Sequence, residues 1–126
     1  MDYKVFIDTN ILLEVIFVRN NYKICRKLIL DNYKNLYISA LSVHICNYFI
    51  EKYNLNLQEY QEFFNSFEII SLDTKIINSA YKNYNKDFED SVQIASAISI
   101  KCDKFITLDQ KLFKNYNHLI NIELLK

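Results

Sequence analysis

Val5-Phe6-Ile7-Asp8-Thr9-Asn10 sets three apolar, β-favouring residues against a carboxylate, a hydroxyl and an amide, and apolar character resumes at Ile11. Three such residues in a row read as a strand buried on both faces. The abrupt polar triplet marks the carboxyl end of that strand, where open α/β sheets take their ligands. The same letters also suit a plainer role, with Asp8 or Thr9 capping a helix that starts near Ile11. Both readings stand on the triplet alone.

With 126 residues the chain fits one domain, residues 1–126, with enough length for a real core. An apolar fraction of 51% beside 24% charged residues matches a soluble globule. No run reaches the roughly 20 apolar residues of a membrane span, and the N-terminus lacks the basic-then-apolar layout of a signal peptide, so a cytoplasmic protein is expected. Cys25, Cys46 and Cys102 have no metal-type spacing and sit among apolar neighbours, which predicts reduced, mostly buried thiols. Fifteen basic residues balance fifteen acidic ones, so no global field draws in polyanions and any nucleic-acid contact must be local. Glycine and proline are absent, which leaves Asn and Asp to serve turns and helix ends.

Beyond the first strand, Ile11 to Val18 suits a short helix, and Asn20-Asn21 caps a second with Ile24, Cys25, Leu28 and Ile29 on one side. Leu36 to Ile38 reads as a strand leading into a helix whose Cys46, Phe49, Ile50 and Tyr53 keep core spacing, with His44, Asn47 and Glu51 on the opposite stripe. Asn56 and Glu59 form a capping-box pattern before a helix burying Leu57, Tyr60, Phe64 and Phe67. Ile69-Ile70 is a third strand. Asp73 caps a helix with Ile76, Ile77, Ala80, Tyr81 and Tyr84 as its stripe, and Asp87 caps one with Phe88, Val92, Ala95, Ile98 and Cys102. Lys104–Thr107 and Leu119–Ile122 complete the strands, with one helical turn at Gln110 to Phe113 between them. Strands separated by helices predict an α/β fold: a parallel sheet of about five strands between two helical layers.

Three carboxylates then hold equivalent places: Asp8 after the first strand, Asp109 after the fourth, and Asp90 in the first turn of a helix. Parallel strands put like ends along one edge, so Asp8 and Asp109 share a crevice if their strands are neighbours, and a helix N-terminus entering it adds Asp90. Asp87 lies three residues from Asp90 on the same helix face, whereas Glu89 is expected to point to solvent. Gathered carboxylates raise one another's pKa unless a cation neutralises them. Mg²⁺ or Mn²⁺, hard ions with oxygen ligands, suit the set, and such an ion activates water for attack on a phosphodiester.

Val5 to Asn10, Asp87-Phe88-Glu89-Asp90-Ser91-Val92-Gln93-Ile94-Ala95-Ser96-Ala97 and Ile106-Thr107-Leu108-Asp109 together resemble the PIN-domain family in order, spacing and length. The likeness runs over essentially the whole chain and is nearest to the prokaryotic VapC-type toxins of toxin–antitoxin pairs. It implies a five-stranded parallel sheet in an α/β/α arrangement, Mg²⁺- or Mn²⁺-dependent cleavage of single-stranded RNA, homodimerisation, and inhibition by a cognate antitoxin. Position by position, Asp8, Asp90 and Asp109 match the acidic ligands, Thr9 and Asn10 the polar pair supporting the first acid, and Thr107 the hydroxyl before the last. Many members carry a Glu in the helix after the second strand; the register of Ser39-Ala40-Leu41-Ser42 puts Ile45 there. That departure leaves a second reading open, a degenerate module that binds RNA or protein without turnover.

Arg19 follows the Asp8 stretch closely and could meet a phosphate, though a solvated surface Arg fits equally. His44 and His118 could act as bases, yet lone histidines near helix starts and loops are more often solvated or structural. Lys101, Lys104, Lys111 and Lys114 could grip an RNA backbone or simply keep the surface soluble. A metal-dependent phosphatase or receiver is the weakest alternative, because the chain presents no clear phosphoacceptor with a well-placed Lys.

Overall fold

In a computed structural model that describes residues 3–126, Val5–Ile7 forms the central strand, β1, every residue of it buried. Met1 and Asp2, part of the expected single unit, lie outside the described residues. The chain continues through α1 (Thr9–Ile16), α2 (Tyr22–Asn32), β2 (Leu36–Ser39), α3 (Ala40–Lys52), α4 (Leu57–Asn65) and β3 (Glu68–Ile70). It then adds α5 (Thr74–Lys82), α6 (Phe88–Ser99), β4 (Lys104–Thr107), α7 (Gln110–Tyr116) and β5 (Ile122–Leu124). All strand pairings are parallel, in the order β3-β2-β1-β4-β5. The expected three-layer α/β/α fold with five parallel strands is the observed one.

Two-residue periodicity sorts the core into layers. Val5 and Ile7 of β1, Leu36 and Ile38 of β2 and Ile106 of β4 face one side, with Ile11, Leu12, Cys25, Cys46, Ile50 and Phe64 from α1 to α4. Phe6 and Phe105 face the other, their rings stacked 5.3 Å apart, against Ile94 and Ala97 of α6 and Leu112 and Tyr116 of α7. A third cluster joins α5 to α6 through Ile76, Ala80, Val92 and Ala95. Fully burying one such large side chain contributes about 1.5–3 kcal/mol, so the β1–β4 seam is held firmly from both sides.

This seam is also the topological switch point. From β1 the chain winds outward through β2 to β3, then returns to build β4 and β5 on β1's other flank. Register pairs Val5 with Lys104 and Ile7 with Ile106, and the ladder runs one step further through the Asp8 amide, which donates to the Ile106 carbonyl at 3.0 Å. The ends of β1 and β4 therefore open into one crevice, where a doubly wound sheet takes its ligands.

Several boundaries differ from expectation. Helix α1 starts two residues early because the Asp8 carboxylate accepts from the Thr9 amide, and it stops at Ile16 before Val18, whose φ of 49° no helix tolerates. The last strand begins at Ile122 rather than Leu119, because Leu119 donates to the Tyr116 carbonyl in the turn that closes α7. Tyr53, Leu57, Tyr81 and Tyr84 keep core spacing yet are exposed. Tyr53 lies just past the end of α3, and Cys102 lies past the end of α6, half-buried. Among the described residues no helix is long and apolar enough to cross a membrane.

Candidate active site

Asp8 follows β1 as the cap of α1, with only 6% of its surface exposed. Its carboxylate accepts from the Thr107 hydroxyl at 2.7 Å and from the Thr9 amide at 2.8 Å. Burial, reinforced by the charges of Asp109 and Glu89 and opposed by those two hydrogen bonds, lifts its pKa from 3.8 to about 6. Thr107 is the hub of the seam. Besides donating to Asp8, its oxygen accepts from the Asp109 amide at 3.0 Å and lies 3.4 Å from the Asn10 side-chain nitrogen. The Asn10 carbonyl oxygen lies 3.4 Å from the Leu108 amide, so Asn10 stitches the start of α1 to the end of β4.

Asp109 caps α7, its carboxylate accepting from the amides of Lys111 and Leu112 at 2.8 and 3.2 Å. Asp87 caps α6 in the same manner, accepting from the Asp90 amide at 3.0 Å. Capping and chemistry are thus not exclusive readings, because a cap places a carboxylate at a strand-to-helix junction on the sheet's active edge. Asp90 is different. Among the described residues its carboxylate has neither a hydrogen-bond nor an ion-pair partner. Partial burial, followed by the charges of Asp87, Asp8, Asp109 and Glu89, raises it to about 7. Asp87, Asp90 and Asp109 line one cleft with Lys86, Lys111, Lys114 and Asn115. Glu89, expected to be solvated and remote, is indeed exposed, but its charge bears on both Asp8 and Asp90, and burial with Asp87 raises its own pKa.

Beneath Asp8 lies a polar network that sequence reasoning missed. Gln93 of α6, 1% exposed, donates to the hydroxyls of Thr9 and Ser42 at 2.8 and 2.9 Å and accepts from Ser39 at 2.9 Å. The Thr9 and Ser42 hydroxyls lie 2.7 Å apart. Thr9 therefore supports Asp8 through its amide alone, while its hydroxyl ties α1 to α3 and α6. No buried side-chain nitrogen or oxygen among the described residues lacks a partner. Only the unusual burial of a Gln among Ser91, Val92 and Ile94 could have signalled this network, and one sequence does not display it.

Other candidates stand elsewhere. The Arg19 guanidinium sits 5.4 Å from the Phe17 ring centroid, and the residue lines a separate cleft with Val18, Asn21, Tyr22 and Lys126, away from the acids. His44 shares a surface cleft with Asn47, Tyr48, Glu51 and Leu57 between α3 and α4. His118 is exposed in the turn before β5. Ile45 is part-buried one helical turn beyond Ser42, on the same side of α3. Lys104 pairs with Glu123 at 3.1 Å.

The donor set suits a hard divalent cation. It is all oxygen, and none of the three aspartates forms an ion pair with Lys or Arg among the described residues. Their side chains are not drawn into a finished cage, since no three acidic, His or Cys groups among the described residues already stand as one. Asp109 takes both capping amides on one carboxylate oxygen, which leaves the other free of capping bonds.

Aspartates thus stand just beyond two adjacent central strands of a parallel α/β sheet, Asp8 after β1 and Asp109 after β4, and in the first turn of α6, the helix that leads into β4. The PIN-domain family model matches residues 5–119, and the chain belongs to the PIN-domain family. No curated protein sequence matches it. Among solved structures, a chain of the DNA-bound VapBC of Salmonella typhimurium is similar with a TM-score of 0.77 at 19% identity, covering 96% of this chain and 97% of that one. A toxin–antitoxin complex from Klebsiella pneumoniae gives 0.73 at 20%, covering 87% and 90%. FitAcB of Neisseria gonorrhoeae gives 0.74 at 17%, covering 94% and 95%. At such identities the likeness speaks for the fold.

Proposed function

We propose that this PIN-domain protein is a Mg²⁺- or Mn²⁺-dependent single-strand endoribonuclease, the toxin of a type II toxin–antitoxin pair, acting in the cytoplasm as a homodimer and held in check by a cognate antitoxin. The observation that carries the reading is that Asp8 and Asp109, just beyond the neighbouring strands β1 and β4, and Asp90, in the first turn of α6, come from distant parts of the chain to bear on one another's charge, with no ion pair to Lys or Arg among the described residues. Family membership supports the nuclease class, and structural neighbours that are toxin–antitoxin complexes support the biological setting.

In this reading Asp8, Asp90 and Asp109 would hold the ion, and Thr107 and Asn10 keep Asp8 in place. When bound, the ion supplies an activated water and offsets charge on the leaving oxygen. Asp87 fixes the first turn of α6 and so the placement of Asp90. The Gln93 network holds α1, α3 and α6 together under Asp8, so that the carboxylates meet the substrate in a set geometry. Hydrolysis forms one phosphorus–oxygen bond to water and breaks the one to the leaving ribose oxygen, which takes a proton.

The second reading, a module that binds without turnover, is favoured by one feature, Ile45 where many members carry Glu. Incubation with mixed-sequence single-stranded RNA and Mn²⁺ separates the two. Cleavage that disappears with chelator and in Asp8→Asn supports the enzyme. RNA left intact by the native protein across varied sequences and both metals refutes it.

A further inference from the structure

Lys86 stands between Asn85 and Asp87 with φ 71°, in the left-handed region that costs a side-chain-bearing residue about 1–2 kcal/mol. The Asp87 amide donates to the Asn85 carbonyl at 2.9 Å, an i to i+2 bond closing a γ-turn of the strained kind around Lys86. In a chain without glycine a positive φ alone says little, since Val18, Asn54 and Lys101 share it. What sets Lys86 apart is how its turn is held. The buried Tyr116 hydroxyl accepts from the Asn85 amide at 3.1 Å and lies 3.0 and 3.2 Å from the carbonyls of Asn85 and Asp87, so one phenol grips the turn on both sides of the lysine. The Asn85 side chain adds a bond to the Asn115 carbonyl at 3.1 Å. Helix α7 thus clamps the α5–α6 connection, and Lys86 lines the acid cleft beside Asp87, Asp90 and Asp109.

Lys111 and Lys114, three apart on α7, line the same cleft. All three lysines are exposed, and none pairs with an acid among the described residues, although three carboxylates share their cleft. Lys104, by contrast, is committed to Glu123 and absent from the cleft lining. Unpaired cations along the outer wall of a carboxylate-floored cleft complement a polyanion whose reacting phosphate goes to the carboxylates and whose neighbouring phosphates need their own counter-charges.

We propose that Lys86, delivered by the Tyr116-clamped turn, and Lys111 and Lys114 of α7 form the seat for the RNA phosphates flanking the scissile one, so that the strand leaves the aspartates across α7. This rests on the nuclease reading above. It assigns the path of the strand, which that reading leaves open.

The test is binding of a fluorescein-labelled 12-nucleotide single-stranded RNA of mixed sequence, followed by anisotropy from 50 to 300 mM NaCl in an Asp8→Asn background. Each single-strand phosphate contact contributes about 0.7 to the slope of log K against log salt, so Lys86→Gln/Lys111→Gln/Lys114→Gln lowers the slope by about 2. Tyr116→Phe, which removes the clamp on the turn that carries Lys86 and keeps all three lysines, lowers it by about 0.7. A control with the same charge change, Lys23→Gln/Lys34→Gln/Lys52→Gln, leaves most of the slope in place. Equal loss in both triple variants means diffuse attraction and overturns the seat, as does an unchanged slope in the cleft triple. Cleavage by otherwise native protein keeps the two proposals apart. A cleft triple that cleaves with the native KM removes the seat and leaves the nuclease standing, whereas native protein that neither binds nor cleaves RNA removes both.

Discussion

Replacing Thr107 with valine preserves its branched shape and removes one hydroxyl, the group that holds Asp8 in its charged form. That hydroxyl donates to the Asp8 carboxylate at 2.7 Å in a site with no exposed surface at Thr107. A hydrogen bond to a charged group is worth about 1.5–3 kcal/mol, and 1.36 kcal/mol corresponds to about one pH unit, so its loss moves the Asp8 titration up by about one to two. Starting from about 6, Asp8 in Thr107→Val then titrates at about 7 to 8 and is largely protonated at neutral pH. Carbon-detected NMR of the metal-free protein reads the carboxyl titration directly. Mn²⁺ titration by calorimetry at pH 6.5 and 8.5 reads its consequence, an affinity that collapses at the lower pH and recovers at the higher. Thr107→Ser, which keeps the hydroxyl, stays close to the native protein. If the valine and serine variants share the native titration midpoint, Thr107 does not govern the charge on Asp8 and the account of the site's electrostatics is wrong.

Other consequences follow from the same geometry. Gln93→Leu removes three buried hydrogen bonds and leaves the Ser39, Ser42 and Thr9 hydroxyls bonded only among themselves, costing about 0.5–1.5 kcal/mol for each bond lost; urea unfolding reads it, and a loss under 0.5 kcal/mol would contradict the network's role. Asp8 binds its proton more tightly folded, at about 6, than unfolded, at 3.8, so its contribution to stability is full below about 4 and about 3 kcal/mol of it is lost as pH rises through 6. Asp90, raised to about 7, carries the decline on toward neutrality. The metal-free melting temperature accordingly falls from pH 5 to pH 8, and Mn²⁺ restores more at pH 8; a metal-free curve that rises over this window argues against a buried charge cluster. Ile45→Glu, one turn beyond Ser42, returns an acid to the position where many PIN domains have one and raises Mn²⁺ affinity about tenfold, measured by calorimetry. Unchanged or weaker binding places Ile45 outside the ion's reach.

How much could be read from the letters varied with the range of the interaction that decides each feature. Strand β1 and its polar triplet were plain because both signals are local: three β-favouring residues for the strand, and an abrupt change of polarity for its end. The positions of Asp8, Asp90 and Asp109 at strand and helix ends were legible because parallel topology turns sequence position into spatial position once strand ends are known. The Gln93 network was not, since an inward-facing Gln in α6 looks like any other helical Gln until Ser39, Ser42 and Thr9 are brought to it from elsewhere in the chain. Tyr81 and Tyr84 kept a core-like spacing while facing solvent, because period fixes which residues share a face and not what covers it. Arg19 was judged by closeness in sequence to Asp8, and the intervening turns of α1 carried it to another cleft. Lysines 111 and 114 looked scattered until α7 set them on the wall of the acid cleft.

The pairing of β1 with β4 has a temporal meaning as well as a spatial one. The Asp8–Thr107 bond joins residues 99 positions apart, so everything from β1 through β4 must leave the ribosome before the crevice can exist. At about 5–20 residues per second, β1 waits several seconds for its second neighbour, and any fragment ending before Lys104 lacks one flank of its central strand. A chain cut short of β4 therefore has no crevice, and whatever this edge does must wait until β4 has been made.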